Sequence, residues 1–145
     1  MNSNPSQIYP IPVVRALIAD ARGRILLLRW AATEYAAGGW CLPGGKVDYG
    51  QTVKEALAGE ILEETSLTLI AAAFFFFQDS LPQSPGGMHC LNLYFLCRAS
   101  GEFRLNAESS ASAWVGPEEV GEYHIVFGND GAVRRYFESR RTSKA

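Results

Sequence analysis

The segment from Thr52 to Thr65 has the most complete helix signal in the chain, and extended runs flank it on both sides. Thr52-Val53-Lys54-Glu55 is a capping-box pattern, in which the threonine hydroxyl accepts from the Glu55 amide and the glutamate reaches back. A second amphipathic helix is predicted at about 132–139. The apolar runs of strand length lie at 13–19, 24–30, 67–78 and 89–99, and the break from Asp20 to Gly23 predicts a hairpin between the first two. Strands with one helix in the middle and one at the end predict an α+β fold, with a mixed sheet between helices.

The length of 145 residues favours a single domain over 1–145, because it leaves no room for two independent cores. Residues 1–10 read as a polar N-terminal arm and 139–145 as a frayed basic tail. Four consecutive phenylalanines, Phe74 to Phe77, make the run at 67–78 unusually apolar, which predicts a strand buried on both faces.

Charge and hydropathy exclude several classes of partner. The net charge of -2 argues against a duplex nucleic-acid partner, which selects for basic surfaces. The longest apolar run, Leu69 to Phe77, is far shorter than the roughly 20 residues of a membrane span. The first residues lack the basic start and apolar stretch of a secretory signal, and three cysteines without a CxxC pair fit a reducing compartment. We therefore expect a cytoplasmic protein.

Three acids on the predicted helix, Glu60, Glu63 and Glu64, are spaced so that they share one side. No Lys or Arg lies between Gly59 and Leu67, so this like-charge cluster has no local neutralising partner. A solvated helix face is the simpler interpretation, but the same side is apolar nearer the helix start, which favours a protein-facing position. The pattern therefore indicates a divalent cation such as Mg²⁺ or Mn²⁺, which takes carboxylate oxygens while keeping waters.

The spacing around this cluster closely resembles the Nudix box of the Nudix (MutT-like) hydrolases, written G-x5-E-x7-R-E-U-x-E-E-x-G-U with U aliphatic. Gly45 is followed six positions later by Gln51, and then by Glu60-Ile61-Leu62-Glu63-Glu64 and Leu67. The flanking Trp40 to Gly45 and Trp114 to Val120 segments are also similar to that family. The resemblance implies a Nudix-type α/β/α sandwich and metal-dependent hydrolysis of a nucleoside diphosphate linked to another moiety, such as a nucleotide or sugar. It also implies a homodimer as one arrangement to test.

The same resemblance implies roles for individual residues. It makes Glu60, Glu63 and Glu64 metal ligands, together with the Gly44 carbonyl. The general base that activates water is then Glu63 or Glu64, or an acid from a later loop. The loop candidates are Glu108 and, less well placed, Glu118 and Glu119.

Four further residues are candidates for binding substrate, each with a simpler alternative. Arg15 and Arg29 suit phosphate oxygens because a guanidinium is a planar fork, although either fits an ordinary strand-edge arginine equally well. Tyr35 is a candidate to stack on a base. Lys46 is a candidate to neutralise phosphate, and the simpler alternative is an ordinary lysine exposed to solvent.

Three positions depart from the box, and each has a physical consequence. Gln51 replaces an acid, and Gly59 replaces an arginine and adds a helix-interior glycine that costs about 1 kcal/mol against alanine. Ser66 replaces the glycine suited to a left-handed helix end, which predicts a different termination. Gln51 and Gly59 favour an alternative function, a catalytically impaired Nudix-fold module that binds a nucleotide or a protein.

Overall fold

The computed structural model describes residues 9–31 and 38–143. In chain order, the strands are β1 (Ile11–Ile18), β2 (Ile25–Trp30), β3 (Trp40–Cys41), β4 (Gly44–Lys46), β5 (Thr68–Ser80), β6 (Cys90–Ser100) and β7 (Ser109–Val115). Helix α1 spans Val53–Thr65 between β4 and β5, and α2 spans Asn129–Ser143 after a short 3₁₀ helix at Val120–Glu122. No helix within these residues is long and apolar enough to cross a membrane.

The strands form two sheets, and residues of both sheets contribute to each of two apolar clusters. The larger sheet has the order β4-β1-β6-β5, in which β1 and β6 are parallel and the other pairs antiparallel. The smaller sheet, β3-β2-β7, is antiparallel. Alternate residues of β1 face opposite ways, so that Val14 packs with α1 while Leu17 packs with α2. The predicted α+β sandwich, with a mixed sheet between helices, is confirmed.

The turn predicted between the first two strands forms, but the strands then separate. The Gly23 amide donates to the Asp20 carbonyl, and Ala19 and Ile25 form a single antiparallel bridge. Beyond this bridge, β1 enters the larger sheet and β2 the smaller one. The hairpin signal therefore gave the turn correctly and the pairing of the strands incorrectly, because each strand finds longer partners elsewhere.

Helix α1 begins with the predicted capping box. The Thr52 hydroxyl accepts from the Glu55 amide at 3.0 Å, and the Glu55 carboxylate accepts from the Thr52 amide at 2.8 Å. The expectation of a different helix end is wrong, since Ser66 adopts the left-handed conformation with φ of 66° that a glycine would otherwise take. Its amide donates to the Leu62 carbonyl, so the helix closes normally around a strained serine.

Strand β5 differs most from its prediction, because it is not buried on both faces. It lies at the edge of the larger sheet, and Phe74 and Phe77 are each more than half exposed. Phe75 and Phe76 pack against the core beside α2. The density of apolar residues could not distinguish an edge strand from a central one, which is why the expectation failed.

Helix α2 is longer than the predicted 132–139 segment at both ends. Its first residue, Asn129, is fully buried, and the basic segment expected to fray from Ser139 stays helical as far as Ser143. Ala132, Val133 and Tyr136 form its buried face. The greater part of the predicted N-terminal arm lies outside the described residues.

Replacing Ser66 with glycine should stabilise the protein. Glycine adopts the left-handed conformation without the side-chain clash, although it adds entropy to the unfolded chain. We expect Ser66→Gly to raise the free energy of unfolding by about 1 kcal/mol, measured by urea denaturation. Ser66→Ala is the matched control, because it removes the hydroxyl and keeps the strained Cβ. An equal gain in Ser66→Ala would show that conformational strain is not the cause.

Candidate active site

The connector from Leu42 to Pro43, which leads into β4, is held from three directions. The Leu42 amide donates to the Asn129 side-chain oxygen at 2.9 Å, and the Leu42 carbonyl accepts from Arg15 Nη1 at 2.9 Å. The Pro43 carbonyl accepts from the Ala16 amide at 2.8 Å. These bonds fix the backbone that enters β4 against both β1 and the start of α2.

Two glycines at the start of β4 lie very close to neighbouring elements. A Cβ on Gly44 would collide with the carbonyl of Val14 on the neighbouring strand. A Cβ on Gly45 would lie 2.6 Å from the Glu60 carboxyl carbon and 2.7 Å from one of its oxygens. The Gly44–Gly45 backbone therefore lies directly against the acidic side of α1.

Glu64 is bonded to this backbone. Its Oε1 accepts from the Gly44 amide at 2.9 Å, which joins the helix to β4. Burial, the largest cause, and the charges of Glu60 and Glu108 together raise the pKa of Glu64 to about 8, although the Gly44 amide and Arg15 act in the opposite direction. Ionising this carboxyl at neutral pH therefore requires more positive charge than Arg15 supplies.

Glu60 lies in a similar environment. Burial is the largest cause of its raised pKa, followed by the negative charges of Glu63, Glu108 and Asp48, and Arg15 acts in the opposite direction. Two loop acids, Asp48 and Glu108, therefore lie close enough to the acids of α1 for their charges to interact. Such a set of anions is stable when a cation joins it.

The available donors fit a hard divalent cation that takes few ligands from the protein and keeps several waters. Within residues 9–31 and 38–143, no three His, Cys, Asp or Glu side chains converge closely enough to hold a metal ion by themselves. The convergent donors are two carboxylates, Glu60 and Glu64, beside the glycine backbone of β4. Mg²⁺ commonly binds through one or two carboxylates and keeps several waters, so this pair suits it.

Glu63 and Glu108 lie at the rim of this acidic pair, and one side chain joins their backbones. Both residues are exposed. The Asn106 amide nitrogen donates to the Glu63 carbonyl at 3.2 Å, and the Asn106 oxygen accepts from the Glu108 amide at 3.0 Å. Asn106 therefore fixes the loop that carries Glu108 to the C-terminal part of α1.

The remaining sequence candidates fall into two groups. Arg15 reaches the acids, since its charge lowers the pKa of both Glu60 and Glu64. The others are not brought to the acids by their contacts: Arg29 is exposed and its Nε donates to the Gly38 carbonyl at 3.4 Å, and Lys46 is exposed. Tyr35 lies outside the described residues.

The two later acids, Glu118 and Glu119, belong to a different part of the molecule. A carboxylate oxygen of Glu119 accepts from the Gly116 amide at 2.8 Å, which closes the turn after β7. Neither residue is among the charges that shift the pKa of Glu60 or Glu64. Glu108 is therefore the loop acid that the fold brings to the site.

Sequence reasoning missed a buried polar network behind the connector. The Asn129 amide nitrogen donates to the Tyr94 hydroxyl at 3.2 Å, and that hydroxyl donates to Gln78 at 2.9 Å. The residues come from three distant segments, so no local pattern could identify them together. The available signal was Asn129 itself, a helix-capping residue type just before the predicted second helix.

Phe127 was also missed, and its backbone is unusual. It has a φ of 61°, a conformation that costs a bulky residue about 1–3 kcal/mol. Its ring centroid is 5.3 Å from the Arg15 guanidinium carbon and 5.9 Å from the Trp30 ring, which it meets edge-on. Its carbonyl accepts from Asn129 at 3.2 Å. Strain of this kind persists where surrounding contacts fix the residue, and here they fix an aromatic ring beside Arg15.

A methyl group at Gly45 should disturb the acids more than the fold, because the group it meets is the end of a flexible side chain. We expect Gly45→Ala to weaken Mn²⁺ binding by about 10- to 100-fold in a calorimetric titration. Gly59→Ala is the matched control, since a Cβ there meets no atom within 4 Å. It should keep Mn²⁺ binding and raise the free energy of unfolding by about 1 kcal/mol. Unchanged Mn²⁺ affinity in Gly45→Ala would contradict this description of the site.

Comparison with known proteins gives a consistent result. A family model described as NUDIX domain matches residues 10–136. A MutT-like protein of Streptomyces ambofaciens is 29% identical over 110 residues, which cover 75% of this chain and 66% of that protein. The nucleoside triphosphatase NudI of Escherichia coli O139:H28 is 31% identical over 97 residues, covering 61% of this chain and 69% of that protein. The chain thus spans about two thirds of the length of these relatives.

A solved structure extends the similarity to the fold. The crystal structure of a MutT protein from Methanosarcina mazei Go1 superposes with a TM-score of 0.75 and 28% sequence identity. The match covers 94% of this chain and 97% of that one. The two chains therefore share one architecture almost from end to end.

Proposed function

The chain belongs to the Nudix family, and from this membership we propose that it is a divalent-metal-dependent hydrolase of a nucleoside diphosphate linked to another moiety. The observation that carries the proposal is the placement of Glu60 and Glu64 against the Gly44–Gly45 backbone. Because the relative NudI is a nucleoside triphosphatase, nucleoside triphosphates are the first substrates to test.

Glu60 and Glu64, with the Gly44 carbonyl, would hold Mg²⁺ or Mn²⁺, and Glu63 as a further ligand stays a prediction from the sequence alone. When bound, such an ion offsets the charge of a diphosphate and lowers the pKa of a bound water. The hydrogen bond from the Gly44 amide orients Glu64 before any ligand arrives. This preorganisation limits the side-chain freedom lost on binding.

Arg15 is the proposed phosphate-binding residue. Its Nη1 is anchored on the Leu42 carbonyl, and its charge acts on both Glu60 and Glu64. A guanidinium fixed in this way can pair with phosphate oxygens through its remaining donors. The ring of Phe127 beside it provides an apolar surface for a base or sugar. Arg29, Tyr35 and Lys46 stay predictions from the sequence alone.

The proposed general base is Glu63. Glu64 is engaged by the Gly44 amide, which leaves Glu63 as the box acid with an exposed carboxylate beside Glu60. Glu108 is the alternative base, since Asn106 fixes its loop at the same rim. A base at either position would take a proton from the attacking water.

Gln51 and Gly59 support the alternative function, a nucleotide-binding module with impaired turnover. Gln51 Oε1 accepts from the Asp48 amide at 2.9 Å, so the glutamine stabilises the loop that precedes α1. Gly59 leaves open space where the family motif has an arginine. A module of this kind would bind nucleotide and gain thermal stability without releasing product.

We further propose a single domain in the cytoplasm. The family match spans most of the chain, and each of the two apolar clusters contains residues of both sheets. The three cysteines, Cys41, Cys90 and Cys97, are free thiols, which supports a reducing compartment.

Product release from nucleoside triphosphates, nucleotide sugars and dinucleotides, with Mg²⁺ or Mn²⁺ present, tests the proposal. Glu64→Gln keeps an oxygen for the Gly44 amide and removes the anion, so we expect it to fold and to lose about 100-fold or more in kcat. Glu63→Gln should lose a similar factor and Glu108→Gln less than about tenfold. Glu118→Gln is the matched control and should match the unmodified protein. Stabilisation by nucleotide without turnover would support the binding module instead.

Restoring two of the three departing box positions, 51 and 59, should raise the rate of hydrolysis. In Gln51→Glu the carboxylate can still accept from the Asp48 amide, and in Gly59→Arg the side chain enters open space. We expect the double variant to increase kcat/KM by about tenfold, because side chains that contact metal ligands fix the orientation of those ligands. Gly59→Ala separates the effect of helix stability from that of the guanidinium. A rate at or below that of the unmodified protein would show that other residues already perform this role.

A further inference from the structure

A chain of hydrogen bonds runs from the connector before β4 to a side chain of β5. The Leu42 amide donates to Asn129 Oδ1 at 2.9 Å, and Asn129 Nδ2 donates to the Tyr94 hydroxyl at 3.2 Å. The Tyr94 hydroxyl in turn donates to Gln78 Oε1 at 2.9 Å. Tyr94 and Asn129 are fully buried and Gln78 is partly exposed, so the chain begins in the core and ends at a side chain that contacts solvent.

The direction of each hydrogen bond in this chain is fixed by the first one. A backbone amide only donates, so Asn129 presents its side-chain oxygen to Leu42 and its nitrogen to Tyr94. The Phe127 carbonyl, which only accepts, agrees with this orientation, because it lies 3.2 Å from the same nitrogen. Burial raises the pKa of Tyr94, so its hydroxyl keeps its proton. That proton goes to Gln78, since a buried donor without an acceptor is costly.

Gln78 is therefore held in one orientation of its side-chain amide. Its oxygen is occupied by Tyr94, and its nitrogen, Nε2, has no hydrogen-bond partner within residues 9–31 and 38–143. Gly128 limits the amide from the other side, because a Cβ there would lie 3.0 Å from Gln78 Oε1. The group left for a ligand is a fixed donor, which favours an acceptor such as a carbonyl oxygen.

Strand pairing in the larger sheet places this donor on the same face as Arg15. Arg15 of β1 pairs with Tyr94 of β6, and Tyr94 pairs with Phe76 of β5. Gln78 pairs with Asn92, two residues before Tyr94, so it lies on the same face one step along the sheet. The spacing of strands and residues puts the Cα atoms of Arg15 and Gln78 about 12 Å apart. A nucleotide can span this distance with its phosphate at Arg15 and its base at Gln78.

Arg15 gives an independent indication of a ligand on this face. Its Nε is buried and has no hydrogen-bond partner in the part of the chain that the structure describes, although its Nη1 donates to the Leu42 carbonyl. A phosphate oxygen would supply the missing acceptor. Arg15 also pairs with Gly44 on β4, whose amide is bonded to Glu64. The same face therefore leads from the acidic pair, past Arg15, to the Gln78 amide.

We propose that Gln78 is a specificity-determining residue, which donates a hydrogen bond from Nε2 to a carbonyl oxygen on the base of the substrate. The inference rests on the proposed function, because Arg15 and the acids set where the phosphates lie. A base with an amino group at that position turns a donor toward a donor, which leaves both unpaired. Gln78 thus selects hypoxanthine, guanine or uracil over adenine and cytosine. Tyr94 and Asn129 are positioning residues, since they hold the Gln78 amide and do not contact the base.

Binding of nucleoside monophosphates to the full chain, measured by calorimetric titration with Mg²⁺ present, tests this selection. These probes carry a phosphate and no diphosphate linkage, so they bind without being hydrolysed. Inosine monophosphate carries a carbonyl where adenosine monophosphate carries an amino group, and uridine and cytidine monophosphates differ in the same way. We expect the carbonyl-bearing member of each pair to bind at least about tenfold more tightly. Equal affinities within a pair, tighter binding of the amino-bearing member, or no binding of any of the four would overturn the proposal.

Substitution of Gln78 separates recognition of the base from a structural role. In Gln78→Glu an oxygen still accepts from Tyr94, and the outward donor becomes an acceptor, so we expect the preference for inosine monophosphate to disappear. Gln83→Glu, which adds the same charge in the exposed loop after β5, is the matched control and should keep the preference. A purely structural Gln78 would weaken the binding of both nucleotides alike. A preference that survives in Gln78→Glu would overturn the proposal.

Removal of the Tyr94 hydroxyl tests the positioning role. Tyr94→Phe keeps a ring to stack on Phe76, where the two centroids are 4.8 Å apart, and releases the Gln78 amide to turn over. We expect the affinities for inosine and adenosine monophosphates to converge in a variant that circular dichroism shows to be folded. A full preference in that variant would contradict the positioning role.

Product release from nucleoside triphosphates is measured separately from these affinities. Its absence with the base preference intact would contradict the proposed function and leave the role of Gln78 standing. Its presence without a base preference would contradict the role of Gln78 and leave the proposed function standing.

Discussion

One hydrogen bond organises the acidic site: the Gly44 amide donates to the Glu64 carboxylate at 2.9 Å. It joins α1 to β4, and it forms because both the helix and the strand are positioned by other contacts. The capping box at Thr52 sets the start of the helix, and the bonds of Leu42 to Asn129 and Arg15 set the backbone that enters the strand. Glycine at position 44 then lets β4 approach β1 without a clash.

The same arrangement creates an electrostatic strain that a cation would relieve. Burial and neighbouring acids raise the pKa of Glu64 to about 8 and also raise that of Glu60, and Arg15 opposes both shifts only in part. Buried acids with raised pKa values lower the free energy of unfolding of a domain that is only marginally stable. Groups of this kind cluster at functional sites, which supports a functional role for Glu60 and Glu64. The family membership and the strain point to the same chemistry, which is why a bound divalent ion is central to the proposal.

The sequence predicted the features that depend on local spacing. The helix, its capping box and the shared side of Glu60 and Glu64 all follow from residue intervals, and the structure has them. Features set by distant segments were not predictable in this way. Asn129 and Phe127 acquire their roles from contacts with Tyr94, Leu42 and Arg15, and the exposure of β5 depends on which strand occupies the sheet edge. At Ser66 the residue type predicted the wrong outcome, because the serine adopts the left-handed backbone conformation at the helix end that its residue type disfavours.

Electron paramagnetic resonance of Mn²⁺ tests most directly whether Glu60 and Glu64 share one divalent ion. Titration of Mn²⁺ into the unmodified protein should show loss of the free-ion signal with about one ion bound, and displacement by excess Mg²⁺. Glu60→Gln should weaken that binding by at least about tenfold, while Glu118→Gln should leave it intact. Equal Mn²⁺ binding by the unmodified protein and Glu60→Gln would contradict the account.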